Sequence, residues 1–135
     1  MANRAPFIYI IGPLHGPSSY KIGDNIYQAK TTAFDIQREA HELGMPVITY
    51  CPHVETGWLL LDDERCKEIK QNEHLYMRAY LSLLMSGKVD AVYFIGSSPG
   101  ADVELMVAEN MGIPVLRDAA NVETFLLDWR DKQCG

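Results

Sequence analysis

Two acids, Asp102 and Glu104, lie at a strand-to-helix junction in the stretch Ser98-Pro-Gly-Ala-Asp-Val-Glu104. The stretch 90–96, which is apolar after Asp90, predicts a buried strand, and the residues from Val103 onwards predict a helix. The positive end of a helix dipole stabilises a carboxylate in the first turns. Such a carboxylate can attack an electrophilic sugar carbon, as in retaining glycoside chemistry. Acids near helix starts are also common structural caps, so the pattern leaves both interpretations open.

Only one of the two acids can face a pocket. Positions two apart on a helix point about 200° away from each other. The residues that follow Glu104, Leu105 to Ala108, are apolar, so the Glu104 side chain need not lie in water. We therefore favour Glu104 as the reactive carboxylate and place Asp102 among the candidates for substrate contacts.

Two loops that follow predicted strands supply further candidates. One begins at Gly12-Pro13 and runs without periodicity to about residue 23. The other holds Ser98 and Gly100, whose hydroxyl and backbone amides can bind an anion. Loops at the carboxyl ends of parallel strands meet at one edge of the sheet, where ligands bind. The candidates for substrate contacts are Gly12, Pro13, His15, Ser98, Gly100 and Asp102.

The apolar patterns along the chain predict four alternations of strand and helix. The strands are expected at residues 7–11, 46–50, 90–95 and 114–116. Helices are expected from Asn25 to Gly44, from Asp62 to about Met85 with a break near Asn72, from Gly100 to Gly112, and on the apolar stripe Val122, Phe125, Leu126 and Trp129. This order predicts an α/β fold, a three-layer, doubly wound parallel sheet of four to five strands, Rossmann-like or flavodoxin-like. The 135 residues predict a single domain over residues 1–135.

The composition argues against several classes of function. With 18 acids, 12 bases and a formal net charge of -6, the chain lacks the basic character of a nucleic-acid binder. Three widely spaced cysteines without a CxxC pair, and scattered histidines, indicate neither a disulfide framework nor a zinc site, so we expect no metal and no cofactor. The apolar run near the start is too short for a secretory signal or a membrane span. We expect a cytoplasmic protein without a membrane partner.

Taken in order along the chain, these motifs resemble the nucleoside 2-deoxyribosyltransferase superfamily. The residues concerned are Tyr9-Ile-Ile-Gly12-Pro13, Asp90-Ala-Val-Tyr-Phe-Ile95, Ser98-Pro-Gly-Ala-Asp-Val-Glu104 and Gly112-Ile-Pro-Val115, within a span of roughly residues 7 to 116. They are most similar to a small bacterial and phage subgroup with the pattern YIxGP followed by SxGAxxE.

The resemblance implies roles for three catalytic residues. Glu104 would be the nucleophile that attacks the anomeric carbon of a ribosyl or deoxyribosyl group and releases the base. Asp90 would support the site, and Tyr9 would position the nucleophile. Members of the superfamily usually build the site across a subunit interface, so the resemblance also implies a homodimer or larger homo-oligomer with shared active sites.

The residue six positions before Glu104 bears on the substrate. Transferases of the family that act on free nucleosides usually have an aspartate there, which contacts the sugar 5'-hydroxyl, whereas this chain has Ser98. The branch that hydrolyses nucleoside 5'-monophosphates has a serine that binds phosphate. An aspartate would repel a phosphate dianion, whereas a hydroxyl can donate to it. That branch often has an arginine where this chain has His15, a weaker and pH-dependent partner for an anion.

Three functions follow from these observations. The first is an N-glycosidase acting on a (deoxy)nucleoside 5'-monophosphate, and it is favoured because Tyr9, Asp90 and Glu104 are all present. The second is deoxyribosyl transfer between bases. The third is a non-catalytic nucleotide-binding or sensor module, which the histidine at position 15 favours. The base, the sugar and the pathway stay open.

Overall fold

A computed structural model describes residues 4–14, 19–52 and 62–134 of the chain. In chain order the elements are β1 (Phe7–Ile11), α1 (Ser19–Glu42), β2 (Ile48–Tyr50), α2 (Asp63–Gln71), α3 (Glu73–Leu84), β3 (Ala91–Phe94), α4 (Pro99–Asn110), β4 (Val115–Leu116) and α5 (Ala119–Cys134).

The strands of the described residues form one parallel sheet in the order β2-β1-β3-β4. Tyr9 in the middle of β1 pairs with Tyr50 of β2 on one side and with Val92 of β3 on the other. The strand order reverses between β1 and β3, so their carboxyl ends form the switch point at which such sheets bind ligands. The predicted α/β, doubly wound, Rossmann-like or flavodoxin-like fold is confirmed.

Helices cover both faces of the sheet, and β1 shows this most clearly because its residues 8–11 are fully buried. Ile8 and Ile10 point into the core cluster formed with α1 and α5. Tyr9 and Ile11 point to the opposite face, into the cluster formed with α3 and α4. A strand covered on both faces reads as a continuous apolar run, which explains the sequence of β1.

Helix α1 begins at Ser19 and not at Asn25, so the predicted loop over residues 12–23 is too long at its carboxyl end. The physical reason is tertiary packing. Ile22 and Ile26 are buried together with Ile69 of α2, and this contact extends the apolar face of the helix towards its start.

The other predicted helix boundaries are close to the observed ones. Gly44 follows the end of α1 with a φ of +71°, a conformation that glycine adopts without strain. Asp62 caps α2, since its Oδ1 accepts hydrogen bonds from the backbone N–H groups of Glu64 at 3.1 Å and Arg65 at 3.2 Å. The break predicted near Asn72 separates α2 from α3. Across the residues that the structure describes, every helix is too short or too polar to span a bilayer.

Candidate active site

Two of the predicted catalytic residues, Tyr9 and Glu104, lie in direct contact although they are 95 positions apart in the sequence. The Tyr9 hydroxyl donates a buried hydrogen bond to Oε2 of Glu104. Tyr9 is fully buried, and Glu104 is 7% exposed. A carboxyl group and a phenol thus form one buried unit at the interface of β1 and α4.

The start of helix α4 sets the direction of the Glu104 side chain. Ser98 is the N-cap, with extended backbone, and its Oγ accepts a hydrogen bond from the N–H of Ala101 at 3.1 Å. Pro99 occupies the first helical positions, where a missing N–H costs nothing. With the helix fixed at this point, Ala101, Glu104 and Ala108 form its buried side. Glu104 therefore points at the sheet.

The position of Tyr9 is fixed by the sheet and by an aromatic neighbour. Its ring packs against Tyr50, at the end of β2, with 5.6 Å between the ring centroids and 39° between the ring planes. Tyr50 also contacts Phe7, with centroids 6.3 Å apart. Sequence reasoning did not single out Tyr50, although an aromatic residue at the end of a strand beside a candidate site was the available signal.

Asp102 lies on a different side of α4, as the helical geometry predicts. Its exposed carboxylate accepts a hydrogen bond from the Ser97 hydroxyl, at 2.7 Å to Oδ1 and 2.9 Å to Oδ2. This contact is local to the turn before the helix. The structure therefore does not bring Asp102 together with Glu104, although both lie near the start of the same helix.

Burial dominates the electrostatics of the pair. It raises the pKa of Glu104 to about 7, although the hydrogen bond from Tyr9 acts in the opposite direction. The pKa of Tyr9 is raised well above its ordinary value, first by burial and then by the neighbouring Glu104 carboxylate. Tyr9 is therefore a neutral donor throughout the physiological range. Glu104 lies near the midpoint of its titration at neutral pH.

The loops after β1 and β3 meet beside this pair, as predicted from the parallel sheet. The N–H of Ile95 donates to the carbonyl of Ile11 at 2.8 Å. A Cβ on Gly12 would lie 3.1 Å from Cβ of Ile95, so a larger residue at position 12 would fit only if Ile95 moved by a few tenths of an ångström. A Cβ on Gly96 would lie 3.7 Å from Cδ of Pro13. Gly12 and Pro13 thus line the switch point.

The remaining substrate-contact candidates differ in what the structure says of them. Ser98 accepts a hydrogen bond from Ala101, and its hydroxyl retains its own proton for donation. Gly100 is packed closely, because a Cβ there would lie 3.1 Å from Cε of Met77. His15 lies outside the described residues.

Asp90 lies at the opposite, amino-terminal edge of the sheet from Glu104. It receives hydrogen bonds at 2.9 Å from both terminal nitrogens of Arg4 and at 2.8 Å from the backbone N–H of Phe7. These contacts tie the segment before β1 to the start of β3. These contacts favour a structural role for Asp90, in which it connects two segments of the fold, and we leave it out of the proposed site.

A buried asparagine, Asn25, is a second residue that sequence reasoning did not assign to the site. Its Nδ2 donates to the carbonyl of Leu14 at 3.1 Å, just beyond the Gly12-Pro13 turn. The available signal was a polar residue on the apolar face of α1, but the sequence interpretation took it as a helix boundary. Within residues 4–14, 19–52 and 62–134, no group of three or more His, Cys, Asp or Glu side chains could hold a metal ion.

Replacing Glu104 by glutamine should stabilise the protein increasingly as the pH rises. The folded-state pKa of about 7 lies above the ordinary value of 4.5, so the carboxyl group favours folding fully below about pH 4.5 and loses this contribution as the pH rises through about 7. The difference between these pKa values corresponds to about 3 kcal/mol. Glutamine does not ionise and can still accept the Tyr9 hydrogen bond. Urea unfolding should show E104Q gaining about 3 kcal/mol over the wild type between pH 4.5 and pH 8.

The control is Glu109→Gln, an exposed glutamate of the same helix. Because this side chain is exposed, its replacement should change the free energy of unfolding by less than about 0.5 kcal/mol. A difference between E104Q and the wild type that is the same at pH 4.5 and pH 8 would mean that Glu104 ionises as freely as in the unfolded chain.

Replacing Asp90 by alanine should destabilise the fold by about 2 kcal/mol, because it leaves the partly buried N–H of Phe7 without its acceptor and removes the partner of Arg4. The matched control is Asp128→Ala, which breaks an ion pair with Lys132 between side chains 62% and 72% exposed. An exposed pair of this kind contributes less than about 1 kcal/mol. Urea unfolding of both variants at pH 7 compares them, and an equal effect would contradict the structural interpretation of Asp90.

No protein-family model, curated protein or solved structure matches this chain. The resemblance of the four short motifs to the nucleoside 2-deoxyribosyltransferase superfamily therefore stays an interpretation of the sequence. The function must be argued from the Tyr9–Glu104 pair and from the edge of the sheet beside which it lies.

Proposed function

We propose that this chain is an N-glycosidase that cleaves the base–sugar bond of a (deoxy)nucleoside 5'-monophosphate, with Glu104 as the nucleophile. The observation that carries the proposal is the buried Glu104 carboxyl, hydrogen-bonded by Tyr9 beside the switch point of the sheet. Buried acids with strongly raised pKa values concentrate at functional sites. The substrate class comes from the motif resemblance, in which Glu104 and Ser98 match the nucleophile and the phosphate-binding serine.

In the first proposed step, a carboxylate oxygen of Glu104 forms a bond to the anomeric carbon. The bond from that carbon to the base nitrogen breaks, and the base leaves with the electron pair and takes up a proton from the solvent. Tyr9 holds Oε2, so Oε1 is the attacking oxygen. Positive charge develops on the sugar in the transition state, and an ionised carboxylate in a low-dielectric surrounding stabilises it strongly.

In the second step, water attacks the anomeric carbon of the sugar–enzyme ester and releases a proton to the solvent, which balances the proton taken up by the base. The bond to Glu104 breaks, the carboxylate is restored and the sugar phosphate leaves. Transfer to another base shares the first step and differs only in the acceptor. The acceptor, water or a second base, therefore distinguishes hydrolysis from transfer.

Hydrogen-bond donors at the start of α4 would hold the 5'-phosphate. Ser98 retains a hydroxyl proton, and the N–H of Gly100 belongs to the first turn of the helix, whose dipole attracts an anion. The Gly12-Pro13 turn approaches from the other side of the switch point and would contact the sugar or the base. No cofactor is required for this chemistry.

The resemblance also leads us to propose a homodimer or larger homo-oligomer with shared active sites. Val103 and Met106 lie on α4, close in sequence to Glu104, and both are exposed apolar side chains. A contact between subunits at α4 would bury them.

A panel of ribo- and deoxyribonucleosides and their 5'-monophosphates tests the proposal. The wild type should release free base from at least one monophosphate, as measured by chromatography, and Glu104→Ala should reduce the rate at least about a thousand-fold. Glu109→Gln is the matched control and should keep the wild-type rate. Release that requires an added base would favour transfer, and nucleotide binding without release would favour the binding module. Either of the last two outcomes would replace the hydrolase proposal.

The pH profile of the reaction should report the pKa of Glu104. Because the nucleophile must be ionised, kcat/KM should rise about ten-fold per pH unit up to about pH 7 and then level off. The hydrogen bond from Tyr9 lowers the pKa of Glu104, so Tyr9→Phe should move this acid limb to higher pH. Tyr27→Phe, at an exposed tyrosine of α1, should leave the profile unchanged. An acid limb near pH 4 to 5 that Tyr9→Phe does not move would argue against Glu104 as the titrating group.

A further inference from the structure

Asn25 is a polar residue buried on the apolar face of α1. Asn25 is 4% exposed. With tyrosine and cysteine counted as apolar, Asn25 and Glu104 are the two buried polar or charged residues in the described part of the chain. Its helical neighbours Ile22, Ile26 and Ala29 are buried apolar residues. An apolar side chain at position 25 would continue this face of α1. Burying an amide there costs free energy unless its hydrogen bonds are satisfied, so Asn25 is explained by its hydrogen bond and not by packing.

The hydrogen bond of Asn25 is directed at the loop beside Glu104. Its Nδ2 donates to the carbonyl oxygen of Leu14 at 3.1 Å. Leu14 follows Gly12 and Pro13, the turn that lines the switch point. The bond from Asn25 fixes the direction of the Leu14 carbonyl, and with it the peptide plane that follows this turn.

The segment from Gly12 to Leu14 is therefore held at both ends. Before Gly12 it is held by the Ile11 carbonyl, which accepts a hydrogen bond from the N–H of Ile95 at 2.8 Å. At Leu14 it is held by Asn25 of α1. The contact near Gly12 is made with the residue after β3, and the contact at Leu14 is made with helix α1, which follows β1. A ligand entering between the loops after β1 and β3 meets a segment whose backbone is already ordered.

We propose that Asn25 is a positioning residue that orders the segment 12–14 for substrate binding. It acts through the backbone of this segment and does not touch the reacting atoms. Its effect falls on binding and not on bond cleavage, because the Tyr9–Glu104 pair lies on β1 and α4 and is held by other contacts. The reference to substrate rests on the proposed N-glycosidase function, whereas the ordering of the segment does not.

Asn25→Leu is the principal variant, with Gln37→Ala as its matched control. Leucine has nearly the shape of asparagine and continues the apolar face of α1, so the variant keeps the packing and loses the hydrogen bond. Asn25→Ala is the second variant, in case leucine is not accommodated. Gln37 lies on the same helix and also makes a side-chain amide hydrogen bond, from Nε2 to Oγ1 of Thr49 at 2.8 Å, but it tethers β2 and not the loop after β1.

Backbone hydrogen exchange, followed by mass spectrometry on peptides that cover residues 11–14, measures the ordering directly. Both Asn25 variants should exchange at least about ten-fold faster than the wild type in this segment, and Gln37→Ala should not. Unchanged exchange in both Asn25 variants would overturn the inference. Hydrogen exchange needs no substrate, so it tests whether Asn25 orders the segment even if the wild type releases no base. Failure to release base would contradict the proposed function but not the ordering by Asn25.

Steady-state kinetics on the best monophosphate separates binding from cleavage. Asn25→Leu should raise KM about ten-fold and change kcat by less than about three-fold, whereas Gln37→Ala should change neither. A fall in kcat at constant KM would place the effect on the reacting groups and overturn the positioning role. If Gln37→Ala raised KM equally, loss of any side-chain hydrogen bond of α1 would weaken binding. That result would also overturn the positioning role of Asn25.

Discussion

The burial of the Glu104 carboxyl beneath α4 is the constraint on which the candidate site depends. A carboxyl group removed from water raises its own pKa, and the hydrogen bond from Tyr9 offsets only part of this effect, since the pKa stays near 7. The fold therefore retains the ionised form of Glu104 at a cost in stability. A core selected for stability alone would have an apolar residue at this position, where Ala101 and Ala108 already form the buried side of the helix. A cost of this kind is expected where activity requires a group that the fold does not.

The topology of the sheet makes the burial possible. Tyr9 reaches Glu104 because β1 lies beside β3 and because helix α4, which follows β3, packs back on the face to which Tyr9 points. β1 is flanked by strands on both sides, so its backbone cannot shift without breaking two ladders. The N-cap at Ser98 fixes where α4 begins, and with it the rotation that turns Glu104 to the sheet. The central strand β1 and the capped helix α4 together hold the Tyr9 phenol and the Glu104 carboxyl within hydrogen-bond distance.

Sequence reasoning was successful wherever local geometry decides the outcome. The divergence of Asp102 from Glu104 follows from helical periodicity, and the location of the Gly12 and Ser98 loops at the same edge of the sheet follows from parallel strands. The contact between Tyr9 and Glu104 does not follow from any local pattern, because it requires β1 and β3 to be neighbours in the sheet. The start of α1 was misjudged for a similar reason, since the burial of Ile22 depends on Ile69 of another helix. That error hid Asn25, which looked like a boundary residue and is an interior one.

Asp90 and Glu104 differ in the groups that donate hydrogen bonds to them, and this difference separates a structural role from the proposed catalytic role. Asp90 is paired with a guanidinium and a backbone N–H, so a positive charge already faces its carboxylate and both of its oxygens accept hydrogen bonds. Glu104 receives its buried hydrogen bond from a neutral phenol, which orients one oxygen and supplies no positive charge. An ionised Glu104 thus keeps most of its electrostatic potential for a cation that develops nearby. A sugar carbon that gains positive charge as its base departs is a partner of this kind. This is the physical basis on which we propose Glu104, and not Asp90, as the nucleophile.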